Sequence, residues 1–315
     1  MIDKIYAIGA ATGTRFNVGK TRGPATNLVV LGLLYCSETR SCRIGGKKQK
    51  KYIARVTQLM LSSSTTSKSL EQVVGNLGYA AWVEPFGRPL LTFIAHHIIP
   101  DTPNSVVTIS SLMQVGLLIW KLILSRNRGL PYKYITNLLP RVRVPTFVDA
   151  STSVGIGGVH GFDYFLLQHA HLVPLITGCP GWESFPQVPI AWLELLAVFM
   201  ALSLFGPRYP KHLMTIYSDN TNVVAWLGSS RRSPHPTVCT VIAAIERIKY
   251  QHLLKLSVRY IPSAQNRTAD RLSRNHVPSW LRHPGTRLHL PLTSLVRLIH
   301  LDYLAPSWLT TISNS

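Results

Sequence analysis

Residues 144–151 read Val144-Pro-Thr-Phe-Val-Asp149-Ala-Ser151 and place an acid in an apolar run. Three further acids have similar settings, in Ala191-Trp-Leu-Glu194-Leu-Leu-Ala, Ile216-Tyr-Ser-Asp219-Asn and Asn266-Arg-Thr-Ala-Asp270-Arg-Leu-Ser-Arg. Ionised acids are costly to bury unless positive charge compensates them, and a divalent cation can compensate several acids together. The pattern therefore predicts that the four acids meet at a shared metal site.

The segments around these acids predict a mixed α/β sheet flanked by helices. Strands are expected at residues 144–150, 156–160, 164–167, 213–218 and 255–261, and helices at 190–205, 222–227, 236–250 and from 268 onward. The order β-β-β-α-β-α-α-β-α is typical of a single mixed sheet domain. It can bring the strand at Asp149, the helix at Glu194, the strand end at Asp219 and the helix start at Asp270 to one sheet edge.

Four converging carboxylates indicate two-metal phosphoryl chemistry. Two cations roughly 3.5 to 4 Å apart are held by shared carboxylates, so that one activates water and the other stabilises the leaving oxygen. Oxygen-only ligands favour Mg²⁺ or Mn²⁺, since no Cys or His stands at ligand spacing to any of the acids. The reaction predicted from the residues is phosphodiester hydrolysis with two Mg²⁺ ions and no small-molecule cofactor.

Charge and composition indicate the partner. The 315 residues contain 33 Lys and Arg against 13 Asp and Glu, a net charge of +20 that favours a polyanion such as nucleic acid. The positive charges lack the amphipathic helical repeat of a membrane-surface protein, and the apolar windows fall short of a bilayer span. No signal peptide is expected, the four cysteines are expected to be reduced and mostly buried, and an intracellular location is predicted.

The first half of the chain has a different pattern. Residues 24–45 predict a β-hairpin, in which an apolar run from Asn27 to Tyr35 is followed by a polar turn and a short return. A lysine cluster at 47–51 suits a solvated helix face or a phosphate-contacting one, and apolar spacing predicts helices from 51 to about 140. Prolines at 140 and 145 mark an extended linker, and a tail is expected beyond 276.

Two of the acids also have a structural explanation. Asp219 could cap the helix that follows it, and Asp270 could be a surface residue paired with Arg267, Arg271 or Arg274. Glu194 is harder to explain in this way, because Trp192, Leu193, Leu195 and Leu196 surround it and a buried Glu without a partner is rare. Only the joint pattern of the four acids is specific.

The same residues carry a resemblance. The segments Phe147-Val-Asp149-Ala-Ser-Thr-Ser-Val-Gly-Ile-Gly157-Gly, Leu193-Glu194-Leu-Leu-Ala, Tyr217-Ser-Asp219-Asn and Ile261-Pro-Ser-Ala-Gln-Asn266-Arg-Thr-Ala-Asp270-Arg-Leu-Ser-Arg look like the four motifs of the ribonuclease H domain of retroelement reverse transcriptases. The order of the motifs agrees as well. The last motif is similar to the Asn-x-x-Ala-Asp-x-Leu-Ser-Arg form of DIRS-like and gypsy-like retrotransposons.

Upstream segments resemble other parts of such polyproteins. The stretch from Lys20 to Leu33 looks like the end of a polymerase palm, and Leu70 to Leu90 is similar to the thumb and connection of DIRS-like elements. The resemblance implies a palm remnant at 1–50, a helical thumb and connection at 51–140, a ribonuclease H-like domain at 141–275 and a tail at 276–315. No Tyr-x-Asp-Asp polymerase motif occurs, so the expected partner is the remaining polymerase portion of the polyprotein.

The resemblance implies that Asp149, Glu194, Asp219 and Asp270 are catalytic metal ligands, and that the chain cuts the RNA strand of an RNA/DNA hybrid. Basic side chains would hold phosphates, and 2′-hydroxyls would mark the RNA. The candidates for contact with the hybrid are Asn220, Asn222, Arg231, Arg232 and Lys249, with Trp226 as a residue that packs on sugar or in the core.

One departure from the family leaves a second function open. The family commonly has a His ten residues before the last Asp, where this chain has Tyr260, and tyrosine does not titrate near neutrality. The alternative is therefore a catalytically decayed nucleic-acid-binding domain of the same origin. A third reading, an integrase or resolvase of the same fold, predicts DNA strand transfer and ranks below the other two.

Overall fold

The computed structural model describes residues 2–14, 23, 25–98, 103–135, 138–172, 189–228, 236–282 and 286–288. Within these ranges the chain is mixed α/β, as the sequence predicts. The elements of the first half are α1 (Ile2–Ala11), β1 (Asn27–Val30), β2 (Leu33–Cys36), β3 (Ser41–Ile44), α2 (Gly46–Leu61), β4 (Ser64–Thr66), α3 (Ser67–Ala80), a 3₁₀ helix (Pro85–Leu90), α4 (Leu91–Ala95), β5 (Val106–Thr108), α5 (Ser111–Arg126), β6 (Leu130–Pro131) and α6 (Tyr132–Ile135).

The second half follows the predicted order of elements. Its elements are β7 (Thr146–Ala150), β8 (Gly155–His160), β9 (Asp163–Gln168), α7 (Ile190–Phe205), β10 (Leu213–Ser218), α8 (Thr221–Gly228), α9 (Pro236–His252), β11 (Lys255–Tyr260), α10 (Arg267–Ser273), α11 (Ser279–Arg282) and β12 (Thr286–Arg287), with short 3₁₀ turns at Gly206–Arg208 and Ser263–Gln265. These bounds agree with the predicted strands and helices to within about two residues.

The six-stranded sheet has the order β11-β10-β7-β8-β9-β12. The hairpins β7–β8 and β8–β9 are antiparallel, whereas β10 runs parallel to both β7 and β11. In an open sheet the carboxyl ends of parallel strands meet at one edge, where ligands bind. The ends of β7 and β10, which carry Asp149 and lead to Asp219, therefore lie side by side.

Helix α7 forms the centre of the second hydrophobic core. All of its residues from Trp192 to Leu202 are buried, and they pack with Val148 of β7 and Ile216 of β10. The expectation that the apolar windows fall short of a bilayer span is wrong for the segment Ile190–Arg208, which is long and apolar enough by length and composition alone, but 72% of its apolar window is buried within the chain. Its apolar character is accounted for by this packing.

The N-terminal strands correct the prediction of a single hairpin. The apolar run from Asn27 to Tyr35 is two strands rather than one, because Leu31 and Gly32 form a two-residue turn with φ values of 50° and 87°. Two successive positive φ values match the twist of the flanking strands. Strands β1, β2, β3 and β6 form one antiparallel sheet, and β4 pairs with β5 in the otherwise helical region.

Two other expectations are refined. The predicted tail from 276 contains α11 and β12 in its described part, and β12 adds a sixth strand beside β9. Three of the four cysteines, Cys36, Cys42 and Cys239, are buried free thiols as predicted, and Cys179 lies outside the described residues.

Helix α9 connects the two halves of the molecule. One face contributes Cys239, Ala243 and Tyr250 to the core of the first half, where Tyr250 packs edge-on against Phe86 with ring centroids 4.6 Å apart. Its other face contributes residues such as Ile245 to the sheet core. The two cores therefore share one helix.

Gly157 of β8 lets α10 approach the sheet. A Cβ at this position would lie 2.5 Å from the backbone nitrogen of Ser273 and 2.6 Å from the backbone carbon of Leu272. Backbone atoms cannot move aside as a flexible side chain can, so any larger residue has to push α10 away from β8.

The substitution Gly157→Ala is expected to destabilise the chain by about 1 to 3 kcal/mol, the range for overpacked cores. The matched control is Gly75→Ala in α3, where a Cβ meets nothing within 4 Å and alanine is expected to stabilise the helix by about 1 kcal/mol. Urea unfolding of both variants checks this. Equal stability of Gly157→Ala and the parent chain would contradict the close contact between α10 and β8.

Candidate metal centre

Three acids from three elements meet at the edge of the six-stranded sheet. Asp149 lies near the end of β7, Glu194 in the first half of α7, and Asp219 directly after β10. One oxygen of each carboxylate lies within 4.8 Å of the others. Asp149 and Glu194 are buried, at 5% and 3% exposure, and Asp219 is partly exposed, so the cluster opens to solvent on one side.

Asp270, the fourth predicted ligand, lies at the margin of this cluster. Its side chain is 42% exposed and its Oδ1 accepts a hydrogen bond from Nε of Arg274 at 2.9 Å. Its negative charge nevertheless contributes to the raised pKa of Asp149. Asp270 therefore has the surface ion pair that the sequence offered as its structural explanation, and the cluster contains three of the four predicted acids rather than all four.

Each carboxylate of the cluster is held by a serine hydroxyl. Ser273 donates to Oδ2 of Asp149 at 2.6 Å, and Ser263 donates to Oδ2 of Asp219. Ser218 donates to Oε2 of Glu194 at 3.0 Å. Because a carboxylate oxygen has more than one lone pair, these bonds orient the acids and leave oxygens able to coordinate.

Two backbone contacts complete the support. The N–H of Ala150, next to Asp149, donates to Oε1 of Glu194 at 2.9 Å. The buried side chain of Asn266 donates from Nδ2 to the carbonyl oxygen of Val148 at 2.8 Å and so ties the start of α10 to β7. The sequence identified the acids but not Asn266 or the three serines, although all four stand inside the quoted motifs.

Burial makes the ionised forms of the acids unfavourable. It raises the pKa of Glu194 to about 8, with a further contribution from the negative charge of Asp149. Burial also raises the pKa of Asp149 to about 6, partly offset by the Ser273 hydrogen bond and increased by Asp219 and Asp270. A divalent cation would reverse both effects, since it favours the charged forms.

The residues present fit such a cation. The possible ligand atoms are all carboxylate oxygens. Two of the three acids, Asp149 and Glu194, are buried next to each other, and hydrogen bonds fix their orientation. Hard divalent cations such as Mg²⁺ prefer oxygen ligands. Asp149, Glu194 and Asp219 would hold the ion, and Asp270, whose charge acts on Asp149, is the candidate to complete a second position.

The residues predicted to contact the hybrid differ in their exposure and in their hydrogen-bond or ion-pair partners. Oδ1 of Asn220 accepts from the backbone N–H groups of Asn222 and Val223, so Asn220 and not Asp219 caps α8. Asn222 is exposed in the first turn of that helix. Lys249 is paired with Glu246 on α9 at 2.5 Å, and Arg231 and Arg232 lie outside the described residues.

No model of a known protein family matches this chain, and no curated protein matches it either.

In the presence of EDTA, the ionisation of Glu194 is expected to lower the free energy of unfolding as the pH rises from about 4.5 to 8. Its pKa is higher in the folded than in the unfolded chain, so the folded state binds the extra proton and loses that advantage above the folded pKa. Mg²⁺ or Mn²⁺ is expected to raise the melting temperature most near pH 8, where the acids are ionised.

Glu194→Gln isolates this effect from other titrating groups. In EDTA the variant is expected to match the parent near pH 5 and to be more stable near pH 8, and to lose most of the stabilisation by Mg²⁺. Differential scanning fluorimetry across the pH range measures both differences. Undiminished stabilisation of Glu194→Gln by Mg²⁺ would exclude Glu194 from the metal centre.

Proposed function

We propose that this chain is a metal-dependent endoribonuclease with a ribonuclease H-like sheet domain, and that it hydrolyses the RNA strand of RNA/DNA hybrids. The observation that carries the proposal is the meeting of Asp149, Glu194 and Asp219, which are far apart in the sequence, within 4.8 Å of one another. The likeness of the four motifs to those of retroelement ribonuclease H domains supports the choice of substrate. The net charge of +20 supports a nucleic-acid partner.

The side chains of the site have distinct tasks in this proposal. When bound, two Mg²⁺ ions supply charge neutralisation and an activated water molecule. Asp149 and Asp219 would hold these cations, and the serine hydroxyls keep the acids fixed. Hydrolysis adds the oxygen of water to phosphorus and breaks one P–O bond of the RNA backbone.

Glu194 has the most restricted position of the three acids. Both of its oxygens accept hydrogen bonds, from the Ala150 N–H and from the Ser218 hydroxyl, and its side chain is 3% exposed. This fixed carboxylate can orient the RNA strand as well as bind a cation. An acid so rigidly held loses little entropy when the substrate arrives.

The substitution Asp219→Asn is expected to reduce cleavage of a labelled RNA/DNA hybrid by more than about 100-fold, since even outer-shell groups of metal sites contribute 10- to 100-fold. The matched control is Asp163→Asn. Asp163 is paired with Arg208 at the opposite end of the sheet and is expected to be dispensable. Gel analysis of the labelled RNA strand measures both rates.

Cleavage that survives Asp219→Asn, or that is lost equally in Asp163→Asn, would contradict the assignment of the centre. Cutting of the DNA strand instead of the RNA strand would contradict the choice of substrate. The proposed partner, the polymerase portion of the polyprotein, rests on the motif likeness, and the proposed intracellular location rests on the reduced cysteines expected from the sequence.

A second candidate function is supported by Tyr260. This residue ends β11, is 52% exposed, and stands opposite Ser218 in the ladder beside the acid cluster. A tyrosine there lacks the imidazole that a histidine would supply for proton transfer. The second candidate is therefore a hybrid-binding domain that has lost turnover.

The substitution Tyr260→His separates the two candidates. If the chain is an enzyme slowed at this position, kcat near neutral pH is expected to rise at least about tenfold, because a positioned proton-transfer group contributes that much or more. Tyr260→Phe is the control and is expected to change kcat little. Salt-sensitive binding to hybrids, with no Mg²⁺-dependent cleavage in any of the three chains, would favour the binding domain.

A further inference from the structure

A groove with a volume of about 980 Å³ lies between the two halves of the molecule. One wall is formed by the residues that follow α3, the 3₁₀ helix and α6. The other wall is formed by the end of α8, by α9 and by the start of β11. The side chains that give the groove its character are Trp82, Arg88, Tyr134, Trp226, Lys249 and Lys255.

The groove presents large aromatic surfaces from both walls. Trp82 follows the C-terminal end of α3 and is 72% exposed, although tryptophan usually buries most of its ring. Trp226 on α8 is partly buried and packs against the sheet core with part of its surface. Exposed aromatic rings in a groove are a platform for nucleic-acid bases, because every base has a π face.

The charge of the groove is positive. Arg88 is exposed and has no ion pair among the described residues, Lys249 is paired with Glu246, and Nζ of Lys255 lies 4.7 Å from the ring centroid of Tyr134. Three cations against the single acid Glu246 leave an excess of positive charge. Phosphate groups complement this excess, whereas a basic or apolar peptide does not.

The groove is within reach of the acid cluster. Helix α8 begins two residues after Asp219, and Trp226 and Leu227 near its other end line the groove. The eight residues of α8 span about 12 Å at 1.5 Å per residue. That length corresponds to about three or four nucleotides at ~3.4 Å each.

We infer that this groove binds the unpaired end of the RNA strand whose paired part lies at the acid cluster. The inference rests on the proposed function for the identity of that strand. A groove of this volume has the size of a small-molecule site and cannot enclose a duplex. Aromatic side chains can stack on bases only where these are splayed out of a double helix.

The test uses the full chain in EDTA at fixed ionic strength, where hybrids are bound but not cut. Fluorescence anisotropy compares a blunt RNA/DNA hybrid with hybrids that carry an RNA overhang of about six nucleotides on either end, within the span that single-strand-binding folds cover. The RNA overhang is expected to tighten Kd about tenfold. A DNA overhang of the same length is expected to tighten it less.

Trp82→Ala and Arg88→Ala are each expected to remove most of the gain from the overhang, and Trp82→Phe is expected to retain it. The matched controls are Trp280→Ala and Arg43→Ala. Trp280 is 48% exposed, packs on Phe162 and does not line the groove, and Arg43 is exposed on β3. Both controls are expected to keep the gain.

Three results would overturn the inference. Equal affinity of the parent chain for blunt and overhanging hybrids would show that the groove does not bind an RNA overhang. Equal losses in Trp280→Ala and Trp82→Ala would show that the effect is not local. Equal gains from DNA and RNA overhangs would refute the assignment to RNA.

Cleavage is measured separately, so that failure of the groove and failure of the proposed function can be told apart. Trp82→Ala is expected to cut the blunt hybrid in Mg²⁺ at the parental rate. Asp219→Asn is expected to keep the overhang preference in EDTA while it loses cleavage. An overhang preference without any cleavage would contradict the proposed endoribonuclease but support RNA binding in the groove. Cleavage without an overhang preference would support the endoribonuclease and contradict RNA binding in the groove.

Discussion

The burial of Glu194 beside Asp149 is the constraint on which the sheet domain depends. Two carboxylates that are nearly excluded from water repel each other, and burial alone opposes their ionisation. The fold meets this cost locally, with two serine hydroxyls, from Ser218 and Ser273, and the backbone N–H of Ala150. Since β7, α7, β10 and α10 each supply an acid or a donor, the arrangement exists only when all four elements are in place.

Much of the sheet domain could be predicted from local patterns. The helix at 190–205 and the strand at 213–218 have the predicted bounds, because Pro189 and Gly206 delimit the helix and the strand is a short apolar run. The turn at Leu31 and Gly32 was missed, since leucine is disfavoured at positive φ and nothing polar marks the turn. The two-residue strand β12 is too short to carry a periodic signal.

The acids of the candidate site could be predicted from the sequence, but the serine hydroxyls that hydrogen-bond to them could not. An acid inside an apolar run signals burial, and burial of several acids signals convergence, so Asp149 and Glu194 stood out. The hydroxyl of Ser263 or Ser273 has no such signal, because its partner is set by how β7, β10 and α10 pack. The sequence offered Asp219 as the cap of α8, whereas Asn220 caps it, because either side chain can cap a helix and the local pattern does not distinguish them.

The shared helix α9 has a consequence for how the polypeptide can be divided. A truncated chain that begins at residue 141 would retain every acid of the cluster. It would, however, expose Cys239, Ala243 and Tyr250, because the residues that cover them belong to the first half. Bare apolar stripes of that kind promote self-association. The N-terminal half thus covers an apolar face of a helix whose opposite face packs in the core of the sheet.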